Sequence, residues 1–109
     1  MGNYDELPVF KASYDLLLEI FKLTKNFSKD YKYTIGESLK NETMGLITHI
    51  YRANSTTKKV DIIQTAREKT EVIRLYIRLL KDLREINLKR FVQVNKRIEN
   101  VSRQPCPVR

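Results

Sequence analysis

Histidine and cysteine each occur once in this 109-residue chain, and glycine and proline only three times each. Each scarcity excludes something. With Cys106 alone there is no disulfide framework within the chain, so a reducing, cytoplasmic setting is the default expectation. So few glycines and prolines cannot supply the tight turns of an all-β fold. Gly36 and Gly45 lack glycine neighbours, which removes any phosphate-cradling loop. His49 has no second histidine with which to hold a metal, and a Cys/His pair would need Cys106 from the Pro105-Cys106-Pro107 end. Glu19, Glu42 and Glu71 can in principle meet inside a bundle. However, Leu46 stands where the Glu-x-x-His spacing of carboxylate-bridged metal sites needs a glutamate. The expectation is therefore no catalytic residue, no metal site and no cofactor, with His49 half-buried and ordinary and Cys106 an incidental thiol.

Long apolar runs are missing too. No uncharged stretch approaches the roughly 20 residues needed to cross a bilayer. Met1-Gly2-Asn3-Tyr4-Asp5-Glu6 has neither the basic start nor the apolar run of a secretory signal, and Glu6 stands where a myristoylation motif needs Ser or Thr. A soluble intracellular protein is expected.

What remains is rich in Leu, Ile, Lys, Arg and Glu, a composition suited to helices. The length fits one domain with one modest core, assigned to residues 1–104, with 105–109 as a flexible tail behind two prolines. Helix one is expected over 8–26, opening on Pro8, whose missing N–H is tolerated at a first helical position. Its apolar residues form two series: Val9, Phe10, Tyr14, Leu17, Leu18 and Phe21, then Ser13, Leu16, Ile20 and Leu23. It fades through Asn26 to Asp30. Helix two is expected over 35–54, started by a capping box between Thr34 and Glu37, with Ile35, Leu39, Leu46 and Ile50 inward and Ile47 and Tyr51 beside them. Asn54 to Thr57 ends it and offers caps to the next helix.

Helix three is expected over 58–86. At 100° per residue, Ile62, Ala66, Thr70, Ile73, Ile77 and Leu80 fall within about 40° of one line. Val72, Leu75, Tyr76, Leu79, Leu83 and Ile86 widen the apolar sector to roughly 200°, beyond the arc of about 100° that a surface helix ordinarily buries. The excess implies a second buried surface against another copy or partner, or a central helix contacted on three sides. Asn87 is both stop and N-cap for helix four, 88–103, with Phe91, Val92, Asn95, Ile98 and Val101 inward. The fold class is all-α, an antiparallel up-and-down four-helix bundle.

Charge is divided unevenly along this frame. Residues 1–57 carry seven Lys/Arg and seven Asp/Glu, whereas 58–109 carry fourteen and six, so the second half supplies the whole net charge of +8. On helix three Arg67, Arg74, Arg78 and Lys81 share a stripe. Glu71 and Glu85 are placed to pair with Arg67 and Lys81, while Arg74 and Arg78 repel each other unless an anion joins them. On helix four Lys89, Lys96 and Arg103 recur every seven residues, with Arg90 and Arg97 beside them and Gln93 and Asn100 between. Merged, the two stripes form a cationic strip suited to phosphates and backbone shape rather than base sequence. The alternative is a solvated surface that favours Lys and Arg. Phe91 reads as core and Tyr31 and Tyr33 as residents of a separate loop. That leaves little for base stacking and favours folded RNA, or DNA backbone, over single strands.

Several blocks together carry a resemblance: Leu7-Pro8-Val9-Phe10-Lys11; Tyr31-Lys32-Tyr33-Thr34-Ile35-Gly36-Glu37-Ser38-Leu39-Lys40; and Ile50-Tyr51-Arg52-Ala53-Asn54. Glu71-Val72-Ile73-Arg74-Leu75, Arg78-Leu79-Leu80-Lys81-Asp82-Leu83 and Leu88-Lys89-Arg90-Phe91 follow in order. From about Leu7 to Gln104 the chain resembles the four-helix bundle family that includes the accessory variability determinant of diversity-generating retroelements. The small proteins encoded in intervening sequences of bacterial ribosomal RNA genes are related to it. The resemblance implies a non-enzymatic, barrel-like homopentamer. In the retroelement branch it also implies partners: the element's reverse transcriptase and its structured template RNA. In the ribosomal branch it implies a structural or protein-interaction scaffold. The Pro105-Cys106-Pro107 end departs from the family pattern, in which glycines and a tryptophan follow.

Overall fold

The structure, a computed structural model, describes residues 8–53 and 59–103, and within them the side chains of 8–52 and 64–103. The Asn54–Thr57 caps, the Ile62 side chain and the Pro-Cys-Pro tail lie outside the described residues. Every described element is a helix: α1 (Pro8–Thr24), α2 (Lys29–Lys32), α3 (Ile35–Ala53), α4 (Lys59–Asp82) and α5 (Leu88–Arg103). Four are long and α2 is a single turn. α1 packs on α3 and α5, and α4 packs on the same two, so the long helices close a ring about one core. The body measures 42 × 23 × 19 Å, its long axis close to the roughly 36 Å of a 24-residue helix.

The core is one row per helix. α1 supplies Val9, Ala12, Leu16, Ile20 and Leu23; α3 supplies Leu39, Leu46 and Ile50; α4 supplies Ala66, Ile73, Ile77 and Leu80; α5 supplies Val94, Ile98 and Val101. Of the two apolar series in helix one, the inward one is therefore the Ser13, Leu16, Ile20, Leu23 series, while Tyr14, Leu18 and Phe21 are exposed. On α5 the inward row includes Val94, and Val92 is 43% exposed, which corrects its expected inward position. At 100° per residue, positions 91, 94, 98 and 101 fall within an arc of about 80°, and residue 92 lies about 140° from its middle. Four hydroxyl residues, Ser13, Thr24, Thr43 and Thr70, are buried without penalty. Each donates to a carbonyl one turn back in its own helix, at 2.9, 3.2, 2.8 and 2.9 Å.

The connections differ from expectation in three ways. The stretch expected to be a loop after helix one holds α2, with Ser28 in extended conformation before it and Tyr31 inside the turn. The capping box of helix two does not form. Thr34 Oγ1 donates to the Asp30 carbonyl at 3.0 Å, and Glu37 pairs with Lys40 at 3.0 Å. α2 runs so directly into α3 that Thr34 already has a preceding turn to bond. Finally, α4 ends at Asp82, short of the expected Ile86. Arg84 adopts φ 64°, Glu85 N–H reaches the Leu80 carbonyl at 2.9 Å and Arg84 N–H reaches that of Lys81 at 3.0 Å. This is a Schellman stop with arginine in the left-handed position that usually holds glycine. It turns the chain so that Ile86 re-enters the core at 7% exposure, and Asn87 Oδ1 then caps α5 by accepting the Arg90 N–H at 2.8 Å.

Candidate nucleic-acid interface

The nine cations expected to form the strip sort into two groups once the helices are packed. Arg74 is the most engaged. Its guanidinium meets Glu99 of α5 at 2.7 Å, Ser102 Oγ at 3.2 Å and Glu71 at 3.5 Å. Arg78 lies 3.7 Å from Asp82. Lys81 stands over the Phe91 ring at 4.9 Å and 4.0 Å from Asp82. On the other side of α5, Arg90 pairs with Glu19 of α1 at 2.9 Å and Arg97 approaches Asp15 at 3.9 Å. Arg74, Lys81, Arg90 and Arg97 tie α5 to α4 and α1, whereas the Arg78 pair lies within α4.

Arg67, Lys89, Lys96 and Arg103 remain exposed, and none has an ion-pair partner among the described residues. Lys89, Lys96 and Arg103 stand on the outward line of α5, each about 10.5 Å along the axis from the next. Beside them an open groove of about 980 Å³ is lined by Arg90, Lys96, Arg97 and Arg103, by the acids Glu19 and Glu99, and by Val92 and neutral polar side chains. Asn95 adds one unusual feature: its Oδ1 is buried without a hydrogen-bond partner.

Two of the helix-three pairings expected from spacing are replaced. Glu71 pairs with Arg74 rather than Arg67, because Arg74 sits on the α5 side, where Glu99 also gathers. Glu85 does not meet Lys81. It lies beyond the left-handed turn at Arg84, and its carboxylate accepts the Ser28 backbone N–H at 2.6 Å and the Ser28 hydroxyl at 3.3 Å. With carboxylates on both Arg74 and Arg78, no outside anion is needed to hold those two guanidiniums near each other.

One cationic surface escaped the sequence reading. The first half nets zero charge, yet Asp15 and Glu19 point along the α5 seam while Lys11, Lys22 and Lys25 are exposed on the outer side of α1. At 100° per residue Lys22 and Lys11 fall about 20° and 40° from Asp15, so these lysines border the face that the acids turn to α5, while Lys25 stands about 80° away. His49, half-buried, directs Nδ1 at the Gly45 carbonyl 2.8 Å away, and a carbonyl can only accept, so Nδ1 carries the proton. Among the described residues no cluster of three His, Cys, Asp or Glu side chains could hold a metal ion, and no helix is long and apolar enough to cross a membrane.

Comparison with known proteins bears on the bundle as a whole. A family model described as bAvd-like matches residues 9–106, nearly the entire chain, and the chain belongs to that family, the bacterial accessory variability determinants. No curated protein matches it.

Proposed function

As the premise for function we take membership of the bAvd-like family, and we propose that this protein is a non-enzymatic accessory subunit of a diversity-generating retroelement. On this reading it works in the cytoplasm, assembles with copies of itself into a homopentamer, and brings the reverse transcriptase together with structured template RNA during mutagenic copying. The long helices take an antiparallel up-and-down order. Contacts along both α5 seams support that order, since Arg90 and Arg97 meet Glu19 and Asp15, and Arg74 and Lys81 meet Glu99 and Phe91, in opposite sequence directions.

The observation that carries the RNA reading is the row of exposed cations Lys89, Lys96 and Arg103, which have no ion-pair partner among the described residues, beside an open groove, with Arg67 on the neighbouring helix. Four open cations on a rigid surface neutralise phosphates without reading bases, as a partner for folded RNA must. Titrating the protein with a structured RNA at several salt concentrations tests this. Engagement of four phosphates gives a slope of log affinity against log salt of roughly −3 to −4, reduced towards zero when those four residues become Gln. An unchanged slope in that variant refutes the assignment.

One observation favours the ribosomal intervening-sequence reading, a scaffold for protein contacts. Five of the nine cations are already engaged inside the molecule, which lowers the charge left for phosphate. The surrounding DNA separates the two readings. A neighbouring reverse-transcriptase gene with paired repeats supports the retroelement role, and an enclosing ribosomal RNA gene supports the scaffold.

A further inference from the structure

A second cationic hollow lies at the corner where α1, α2 and α3 meet. Four lysines line it from three elements: Lys22 and Lys25 from α1, Lys32 from α2 and Lys40 from α3. Its volume is about 250 Å³, and Leu18 and Phe21, 44 and 41% exposed, form its apolar floor. The Lys40 ammonium stands 5.4 Å from the centre of the Phe21 ring. Thr24, also at the wall, spends its hydroxyl on the Phe21 carbonyl at 3.2 Å. None of these residues belongs to α4 or α5, so the hollow is separate from the cationic line of α5.

Charge in the hollow is lopsided. One carboxylate, Glu37, reaches a lysine there, holding Lys40 at 3.0 Å. Asp15 and Glu19 of α1 are turned to Arg97 and Arg90 of α5, and Asp30 of α2 does not line the hollow. Lys22, Lys25 and Lys32 have no ion-pair partner among the described residues. Lys22 and Lys25, three apart on one helix, repel each other, and folding brings Lys32 and Lys40 to the same place. An anion relieves that repulsion, and each ammonium offers it three donors. The floor narrows the choice. A bare phosphate leaves Leu18 and Phe21 in water, whereas an anion with a flat aromatic body covers them as it is neutralised.

We propose that this hollow binds a nucleoside phosphate, its base on Leu18 and Phe21 and its phosphates gathered by the four lysines. This goes beyond the RNA reading above, which rests on α5 and Arg67. Apart from the lysines no side chain of the hollow is free to hydrogen-bond a base edge. The site therefore recognises ring face and charge and does not choose among bases. At about 250 Å³ it is smaller than the roughly 300–1,000 Å³ of a pocket that encloses a drug-sized ligand. It seats the base and leaves the phosphates at the rim. A free nucleotide and an unpaired nucleotide of a strand present this same chemistry.

Calorimetric titration of the full chain with ATP, AMP and ribose 5-phosphate at low salt tests the proposal. ATP is expected to bind tightest and AMP more weakly. Ribose 5-phosphate, which lacks the base, is expected to bind roughly fivefold or more below AMP, the lower end of what one base–aromatic stack contributes. Lys25→Gln/Lys32→Gln is expected to weaken ATP binding about tenfold or more with helical circular dichroism unchanged. Phe21→Leu keeps an apolar floor and is expected to narrow the preference for AMP over ribose 5-phosphate. Lys89→Gln/Lys96→Gln/Arg103→Gln is expected to keep ATP binding, so failure of this site and failure of the RNA surface are read separately. Displacement of ATP by a short oligoadenylate assigns the site to an unpaired strand, and no displacement assigns it to the free nucleotide. Three results overturn the proposal: no ATP binding by wild type, ATP binding unchanged in the Lys25/Lys32 variant, or equal affinity for AMP and ribose 5-phosphate.

Discussion

The Glu85 carboxylate accepts the backbone N–H of Ser28 at 2.6 Å and its hydroxyl at 3.3 Å, joining chain segments 57 residues apart. Ser28 opens the single-turn helix α2 without a side-chain cap of its own, so the α4–α5 turn holds the α1–α3 connection from outside. Replacing Glu85 by Ala is expected to cost about 1 kcal/mol, the net worth of an ordinary hydrogen bond, since solvent at this exposed site offsets the extra strength of a charged acceptor. Urea unfolding measures the cost. Faster amide exchange confined to residues 28–32 is the local signature, and uniform exchange would contradict it.

Arg84 occupies a backbone conformation that an L side chain reaches at a cost of roughly 1 kcal/mol. Arg84→Gly is therefore expected to stabilise the bundle by about 0.5–1 kcal/mol, offset in part by the freer unfolded chain. A rise in Tm of a few degrees is the expected result, and a fall would mean that the Arg84 side chain contributes more than the geometry shows.

The two described glycines should respond to alanine in opposite directions. At Gly36 a Cβ would stand 3.2 Å from the Tyr31 carbonyl and 3.3 Å from the buried Phe27 ring, neither of which can yield easily. At Gly45 it would meet the end of Lys69 at 3.0–3.3 Å, a flexible chain that can swing away from its 3.6 Å pair with Glu42. Gly36→Ala is expected to destabilise by about 1 kcal/mol, and Gly45→Ala to gain up to about 1 kcal/mol of helix propensity. Thermal melts of the two variants decide it.

Val94 and Val92 separate the inside of α5 from its outside. Val94 is fully buried while Val92 is 43% exposed. Val94→Ala should cost about 1–3 kcal/mol and Val92→Ala less than about 0.5 kcal/mol in chemical denaturation. Equal effects would put the α5 core row on the wrong face.

Arg74 and Lys96 should divide stability from binding. Arg74→Gln removes contacts to Glu71, Glu99 and Ser102 and should lower the melting temperature while leaving the RNA salt slope intact. Lys96→Gln should leave the melt unchanged and reduce the slope by about 0.7–0.9. The reverse pattern would exchange the two groups of cations.

Much of this molecule is legible in one dimension. The number of long helices, the buried rows of α3 and α4, and Asn87 at the head of α5 follow from apolar residues recurring at helical spacing and from capping chemistry, both set by near neighbours. The single turn α2 was not legible. A four-residue helix has no periodicity to detect, and Ser28 bonds through its N–H to a carboxylate far along the chain.

The cations show where local reasoning stops. Sequence alone determined that positive charge lies on one stripe of α4 and one line of α5, because helix geometry fixes which residues share a face. Only tertiary packing decided which of those charges remain open. Arg74, Arg90 and Arg97 are neutralised by Glu99, Glu19 and Asp15, acids on other helices whose approach depends on how the bundle closes. Lys89, Lys96 and Arg103 lie on the outward line of α5, exposed and without an ion-pair partner among the described residues. An ion pair is a property of two positions in space, and spacing along one helix specifies only one of them.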